Sequence, residues 1–161
     1  MKTLIIFASK HGCAEECAHK LKDKLSGETY IINIKDQSQI DLSNYGTVII
    51  GGSIHAGKIQ KNIIKFCRNN LSVLDSKKTG LYICCMEEGE KALKQFNDAF
   101  PAELIEHSTA TGIFGGAFTF EKMNFIERYI IKKIAKIDKS VSKISEENIT
   151  EFAAQIETSE K

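Results

Sequence analysis

The chain has 161 residues, 42% of them hydrophobic and 27% charged, which is ordinary globular usage for a single self-sufficient domain and argues against disorder. Lys and Arg number 22 against 21 Asp and Glu, a net charge of +1, so nothing in the overall charge points to a nucleic-acid partner. The longest apolar runs, Leu4–Ala8 and Leu81–Met86, are far too short to span a bilayer.

The opening residues show no signal-peptide pattern, and five cysteines without a pairing pattern fit a reducing compartment; a cytoplasmic location is expected. In chain order, a β-branched run predicts a first strand at Thr3–Ala8. Ala14, Cys17, Ala18, Leu21 and Leu25 then recur at helical spacing, with Ser26-Gly27 as the stop. Strands follow at Thr29–Ile34 and Thr47–Gly51. Ile59, Ile63, Cys67 and Leu71 make a second helical stripe.

A fourth strand at Leu81–Met86 leads into the stripe of Leu93, Phe96 and Phe100, closed by Pro101. The fifth strand is expected at Gly112–Phe118, then a long helix over about Glu121 to Asp138. A last helix is capped by Ser145, with Glu146 and Glu147 in its first turn and Ile149, Phe152, Ala153 and Ile156 facing inward. Strands that are nearly continuous in apolar character and alternate with helices imply right-handed βαβ crossovers. The expected fold is α/β, a doubly wound five-stranded parallel sheet with helices on both faces, in one domain over 1–161.

Such sheets bind ligands beyond the carboxyl ends of their strands, which selects three loops. The first is Ser9-Lys10-His11-Gly12-Cys13-Ala14, where a hydroxyl, a glycine and a helix N-terminus together suit a phosphate, although a plain βα turn reads the same way. The second, Gly51-Gly52-Ser53-Ile54-His55-Ala56-Gly57-Lys58, matches a P-loop over Gly52–Lys58, but Ile59 stands where Ser or Thr would ligate magnesium. Its Gly51-x-Ser53 is no nucleophile elbow, because His55 replaces the second glycine. The third is Met86-Glu87-Glu88-Gly89. Ser9 and Ser53 occupy positions where a receiver domain needs acids, and no strand leads into the dinucleotide glycine pattern.

No metal site is expected. His11, Cys13, Cys17 and His19 cannot converge, since Cys17 and His19 diverge by about 200° on a helix. Cys17, Cys67, Cys84 and Cys85 read as packing residues, Cys84 and Cys85 on opposite faces of their strand. Cys13, at a helix start, is a candidate for a lowered thiol pKa. His19 and His107 are expected to face solvent.

With these loops in place, the chain resembles the flavodoxin-domain family, in the branch that contains menaquinone-dependent protoporphyrinogen IX dehydrogenase. The resemblance is carried by Leu4–Gly12, Gly51–Lys58, Gly115-Gly116-Ala117-Phe118 and Asn124–Arg128, in order along nearly the whole chain. It implies a strand order 2-1-3-4-5 and an FMN cofactor. The phosphate would lie in Ser9, Lys10, His11, Gly12, Cys13 and Ala14. The ring would be flanked by Ser53, Ile54, His55, Ala56, Gly57 and Lys58, with Met86, Glu87, Glu88 and Gly89 on its other side.

His11 and Ala14 stand where the family usually has hydroxyls, which leaves more to backbone N–H groups and Lys10. The implied function is FMN-dependent electron transfer or oxidation with a redox partner or quinone; a flavin-free interaction domain on the same fold is the alternative. His55 and Lys58 in the ring loop would add cationic charge, which favours a reduced flavin anion.

The Glu121–Ile144 stretch carries seven basic residues against three acidic ones, beside an apolar stripe of Phe125, Ile126, Tyr129, Ile130, Ile134 and Ile137. Two placements are open: packed on the core with a solvated outer face, the simpler one, or peripheral on an anionic membrane.

Overall fold

In a computed structural model, which describes residues 1–37 and 39–159, the main sheet has five parallel strands. They are β1 (Thr3–Ala8), β2 (Thr29–Asn33), β3 (Thr47–Ser53), β4 (Lys78–Cys84) and β5 (Ala110–Ile113), in the spatial order β2-β1-β3-β4-β5. β1 lies between β2 and β3 and is buried along its length. Its register sets Leu4 beside Val48 and Ile6 beside Ile50, so successive side chains feed opposite faces.

Helices cover both faces. On one, Leu4, Ile6 and Ala8 meet α2 (Lys61–Asn69), α3 (Leu71–Asp75), α4 (Gly89–Ala99) and α5 (Ala102–His107) through Ile63, Cys67, Leu74, Phe96 and Leu104. On the other, Ile5 and Phe7 meet α1 (Cys13–Lys22) and α7 (Glu146–Thr158) through Ala14, Cys17, Leu21, Ile149 and Phe152. Ser145 caps α7 as its sequence implies, accepting a hydrogen bond from the Asn148 amide at 3.2 Å. Tyr82, fully buried, stacks on Phe114 and donates its hydroxyl to the Ala14 carbonyl at 3.1 Å. Its ring fills the space that a side chain at Gly51 would need.

The region after β5 departs from expectation. The fifth strand ends at Ile113, because Gly115 turns the chain with φ +78° and packs its α-carbon against the Lys143 carbonyl. Ala117–Phe118 forms a separate short strand, β6, antiparallel to β7 (Val141–Ser142). The expected helix over 121–138 is a short 3-10 turn at Phe120–Lys122 followed by α6 (Phe125–Ile134). An Asn124/Glu127 capping box starts α6. No residue of α6 is buried, so it does not pack on the core in the way the simpler reading of its apolar stripe required.

Candidate functional site

The carboxyl ends of β1, β3 and β4 converge on a cleft of about 220 Å³ that opens to solvent. The first loop forms one end of it. Gly12 takes φ +91°, a left-handed conformation that L side chains resist, at the start of α1, whose first N–H groups have no partner within the helix. Ser9 accepts the Gly12 amide at 2.9 Å and is itself buried. Unpaired N–H groups at a helix start make an anion site, reinforced by the helix dipole.

The second loop is a tight turn in which His55 and Lys58 exchange backbone hydrogen bonds of 2.8 and 3.0 Å. Ala56 and Gly57 carry its positive φ values of 48° and 76°, and for Ala56 this conformation costs about 1 kcal/mol. Two buried polar atoms of this segment, Ser53 Oγ and His55 Nε2, have no hydrogen-bond partner. Both residues line the cleft. Burial, then the positive charge of His11 and Lys10, lowers the His55 pKa to about 4. His55 is therefore neutral near pH 7 and does not supply the cation expected of it.

The third wall and the lid come from the end of β4 and from the segment that holds β6 and α6. Met86, Gly116, Phe118, Met123, Ile130 and Ile131 make it apolar. Glu127 closes it, pairing with Lys10 and, at 3.4 Å, with His11 Nε2. The Lys10 ammonium holds the Glu127 carboxyl below its ordinary pKa. His11 Nδ1 meets the Lys122 carbonyl at 3.1 Å, which ties the 3-10 turn to the first loop. Lys122 extends its ammonium over Gly12.

Beneath the first loop lies a cluster that spacing along the chain did not reveal. The sulfurs of Cys13, Cys17 and Cys84 are buried and lie within 4.8 Å of one another. Cys13 and Cys17 meet across one helical turn, and β4 delivers Cys84 from 67 positions beyond Cys17. Thiol hydrogen bonds from Cys17 and Cys84 hold the Cys13 pKa below the thiol range and push the pKa values of both donors up. The three sulfurs can share a proton or gather round a soft cation. Cys85 points to the opposite face of the sheet from Cys84, as expected. His19 is exposed, and His107 pairs with Asp75 at 2.6 Å.

Of the residues selected from sequence, the cleft gathers Lys10, His11, Cys13, Ser53, Ile54, His55, Ala56 and Met86. Ser9 and Gly12 shape the loop from behind. Ala14 is fully buried, with its carbonyl bound to Tyr82. Gly57 and Lys58 line a neighbouring hollow with Lys35 and Gln60. Glu87 and Glu88 lie on the surface, paired with Lys91 and Lys143, and Gly89 starts α4 at φ +58°. Sequence reasoning did not assign Phe118, Lys122, Met123, Glu127, Ile130 or Ile131 to the site. The capping-box pattern Asn124-x-x-Glu127 was the one signal that could have placed a carboxylate there.

A parallel sheet in this order, with its cleft at the switch between β1 and β3, defines the doubly wound α/β class that binds ligands at its strand ends. Within that class, the family model described as Flavodoxin domain matches residues 4–145, and the chain belongs to this family. It is 24% identical to protoporphyrinogen IX dehydrogenase [quinone] of Escherichia coli strain K12, over 97% of this chain and 94% of that protein. Among solved structures it superposes on flavodoxin 1 of Bacillus cereus with a TM-score of 0.57 and 17% identity, each chain covered over 100%. A Fusobacterium nucleatum flavodoxin mutant bound to flavin mononucleotide gives a TM-score of 0.52 at 13% identity, over 97% of this chain and 95% of that one. These two structural likenesses establish the fold.

Proposed function

We propose that the chain binds FMN in this cleft and acts as an electron-transferring oxidoreductase with a quinone as acceptor. The observation that carries the reading is the pair of buried, unpartnered polar atoms, Ser53 Oγ and His55 Nε2, in a cleft whose adjoining wall is an anion-binding loop. A buried polar atom without a partner costs about 1–3 kcal/mol, and a heteroaromatic ring with polar edges would supply the missing partners. The FMN-bound Fusobacterium flavodoxin supports the choice of cofactor, and the printed name of the Escherichia coli relative supports the acceptor.

A bound flavin supplies reversible one- and two-electron transfer, and the protein supplies position and field. The amides of residues 11, 13 and 14, with Lys122, would hold the phosphate, the Gly12 amide being held by Ser9. Ser53 and neutral His55 would meet the ring. Phe118, Met123 and Ile130 would exclude water, while Glu127 offsets the charge of Lys10 and keeps the site near neutral. Oxidation of a porphyrinogen is the narrower reading that the same relative supports.

Anaerobic reduction of the FMN-loaded protein followed by mixing with a menaquinone analogue tests this. The reading expects the flavin absorbance to return in step with quinone reduction. Protein that takes up no FMN overturns the cofactor; protein that holds FMN but passes no electrons to the quinone overturns the acceptor.

A further inference from the structure

Helix α6 buries none of its residues, although half of it is large and apolar. Phe125, Ile126 and Ile134 are 84%, 68% and 78% exposed, and Tyr129 and Ile130 are exposed as well. At about 100° per residue these five side chains occupy roughly one half of the helix circumference. Lys133 stands in the same arc, its ammonium 5.7 Å from the Tyr129 ring centre, and Lys132 borders it. The one carboxylate of α6, Glu127, is turned the other way, onto Lys10 and His11.

We propose that this outward face docks on an anionic lipid surface, with α6 lying in the plane of the headgroups. A row of exposed isoleucines and aromatics with lysines inside and beside it, and no acid facing outward from the helix, matches both parts of such an interface. The apolar side chains enter the acyl boundary while the lysines stay with lipid phosphates. A second copy of the same face fits less well, because pairing two of them gathers Lys132 and Lys133 of both copies in one interface with no outward acid on either helix to pair them. At ten residues α6 is about 15 Å long, and no helix among the described residues is long and apolar enough to cross a membrane. The contact is therefore peripheral.

The other side of the same helix lines the cleft through Glu127 and Ile131, and Ile130, 44% exposed, stands at the border of the two faces. Docking would hold the cleft mouth at the lipid surface, where a lipid-borne acceptor enters. That use rests on the function proposed above; the docking itself does not.

Co-sedimentation of the flavin-free protein with phosphatidylglycerol vesicles and with phosphatidylcholine vesicles, at low and high salt, tests the docking without reference to any redox activity. Binding to the anionic vesicles is expected, weakened by salt and much weaker on the zwitterionic ones. The double variant Ile126→Ser/Ile134→Ser is expected to lose it, and Lys132→Gln/Lys133→Gln to weaken it about fivefold per lysine. Thermal melts should leave both variants folded, since every altered side chain is solvent-exposed. Equal binding to both vesicle types, no binding at low salt, or self-association in solution that the same variants abolish would each overturn the proposal.

Discussion

The Lys122 ammonium lies 2.5 Å from the point where a side chain on Gly12 would begin, and it has no ion-pair partner among the described residues. Gly12 opens α1 at the first loop, so an unpaired cation stands at the N-terminus of this helix. In this position Lys122 would offset, toward a phosphate, the hydroxyls that the loop lacks at His11 and Ala14. Lys10, the cation that the sequence suggests for this task, is engaged by Glu127.

Replacing Lys122 by Met should therefore weaken FMN binding about tenfold, the scale of one charged hydrogen bond, and leave riboflavin, which has no phosphate, unchanged. Parallel titrations of the variant with the two flavins, followed by fluorescence, check this. An equal loss for both would assign Lys122 a structural role instead.

A side chain at Gly51 would enter the Tyr82 ring, which is fixed by its hydrogen bond to Ala14 and its stack on Phe114. Gly51→Ala is expected to cost about 1–3 kcal/mol in a chemical denaturation series, with the slope unchanged. A neutral result would mean that the ring has room to move.

His55 gives a stability signature at acid pH. Its folded pKa is lowered from 6.5 to about 4, chiefly by burial and then by His11 and Lys10, against smaller opposing effects of Glu127 and Cys13. Between those values the unfolded chain takes up a proton that the folded chain refuses. The site thus costs nothing well above 6.5 and removes stability as the pH falls through that window. The cost should reach about 1 kcal/mol near pH 5, solvent screening limiting it at the part-exposed ring. The stability difference between wild type and His55→Asn should shrink by that amount between neutral and acid buffer; a constant difference contradicts the assignment.

Cys13 lines the cleft, and iodoacetamide entering there is expected to react with it at mildly acidic pH, where an ordinary thiol is slow. Cys17→Ala and Cys84→Ala each remove a donor, and each should move the midpoint of the Cys13 rate profile upward. Mass spectrometry of the alkylated chain identifies the site. A Cys13 profile that both variants leave in place would show that the sulfurs do not share a proton.

The fold was legible because short runs such as Leu4–Ala8 and Thr47–Gly51 are nearly continuous in apolar character, as strands covered on both faces are. The loops at the strand ends followed from topology alone. Periodicity failed where tertiary contacts decide. Gly112–Phe118 reads as one strand until Gly115 meets the Lys143 carbonyl, a contact 28 residues away in sequence. The stripe of α6 announces an apolar face without saying what it faces. The thiol cluster depends on Cys84 arriving from another strand, and a search along one helix reaches only Cys13 and Cys17.

The central claim is that the first loop grips a phosphate while the cleft holds the ring attached to it. Calorimetric titration of the purified chain with FMN and with riboflavin, in the same buffer, addresses it most directly. A single FMN site, tighter than riboflavin by well over tenfold and weakened by added inorganic phosphate, is the predicted result. Indifference to the phosphate group, or no heat with either flavin, would contradict it.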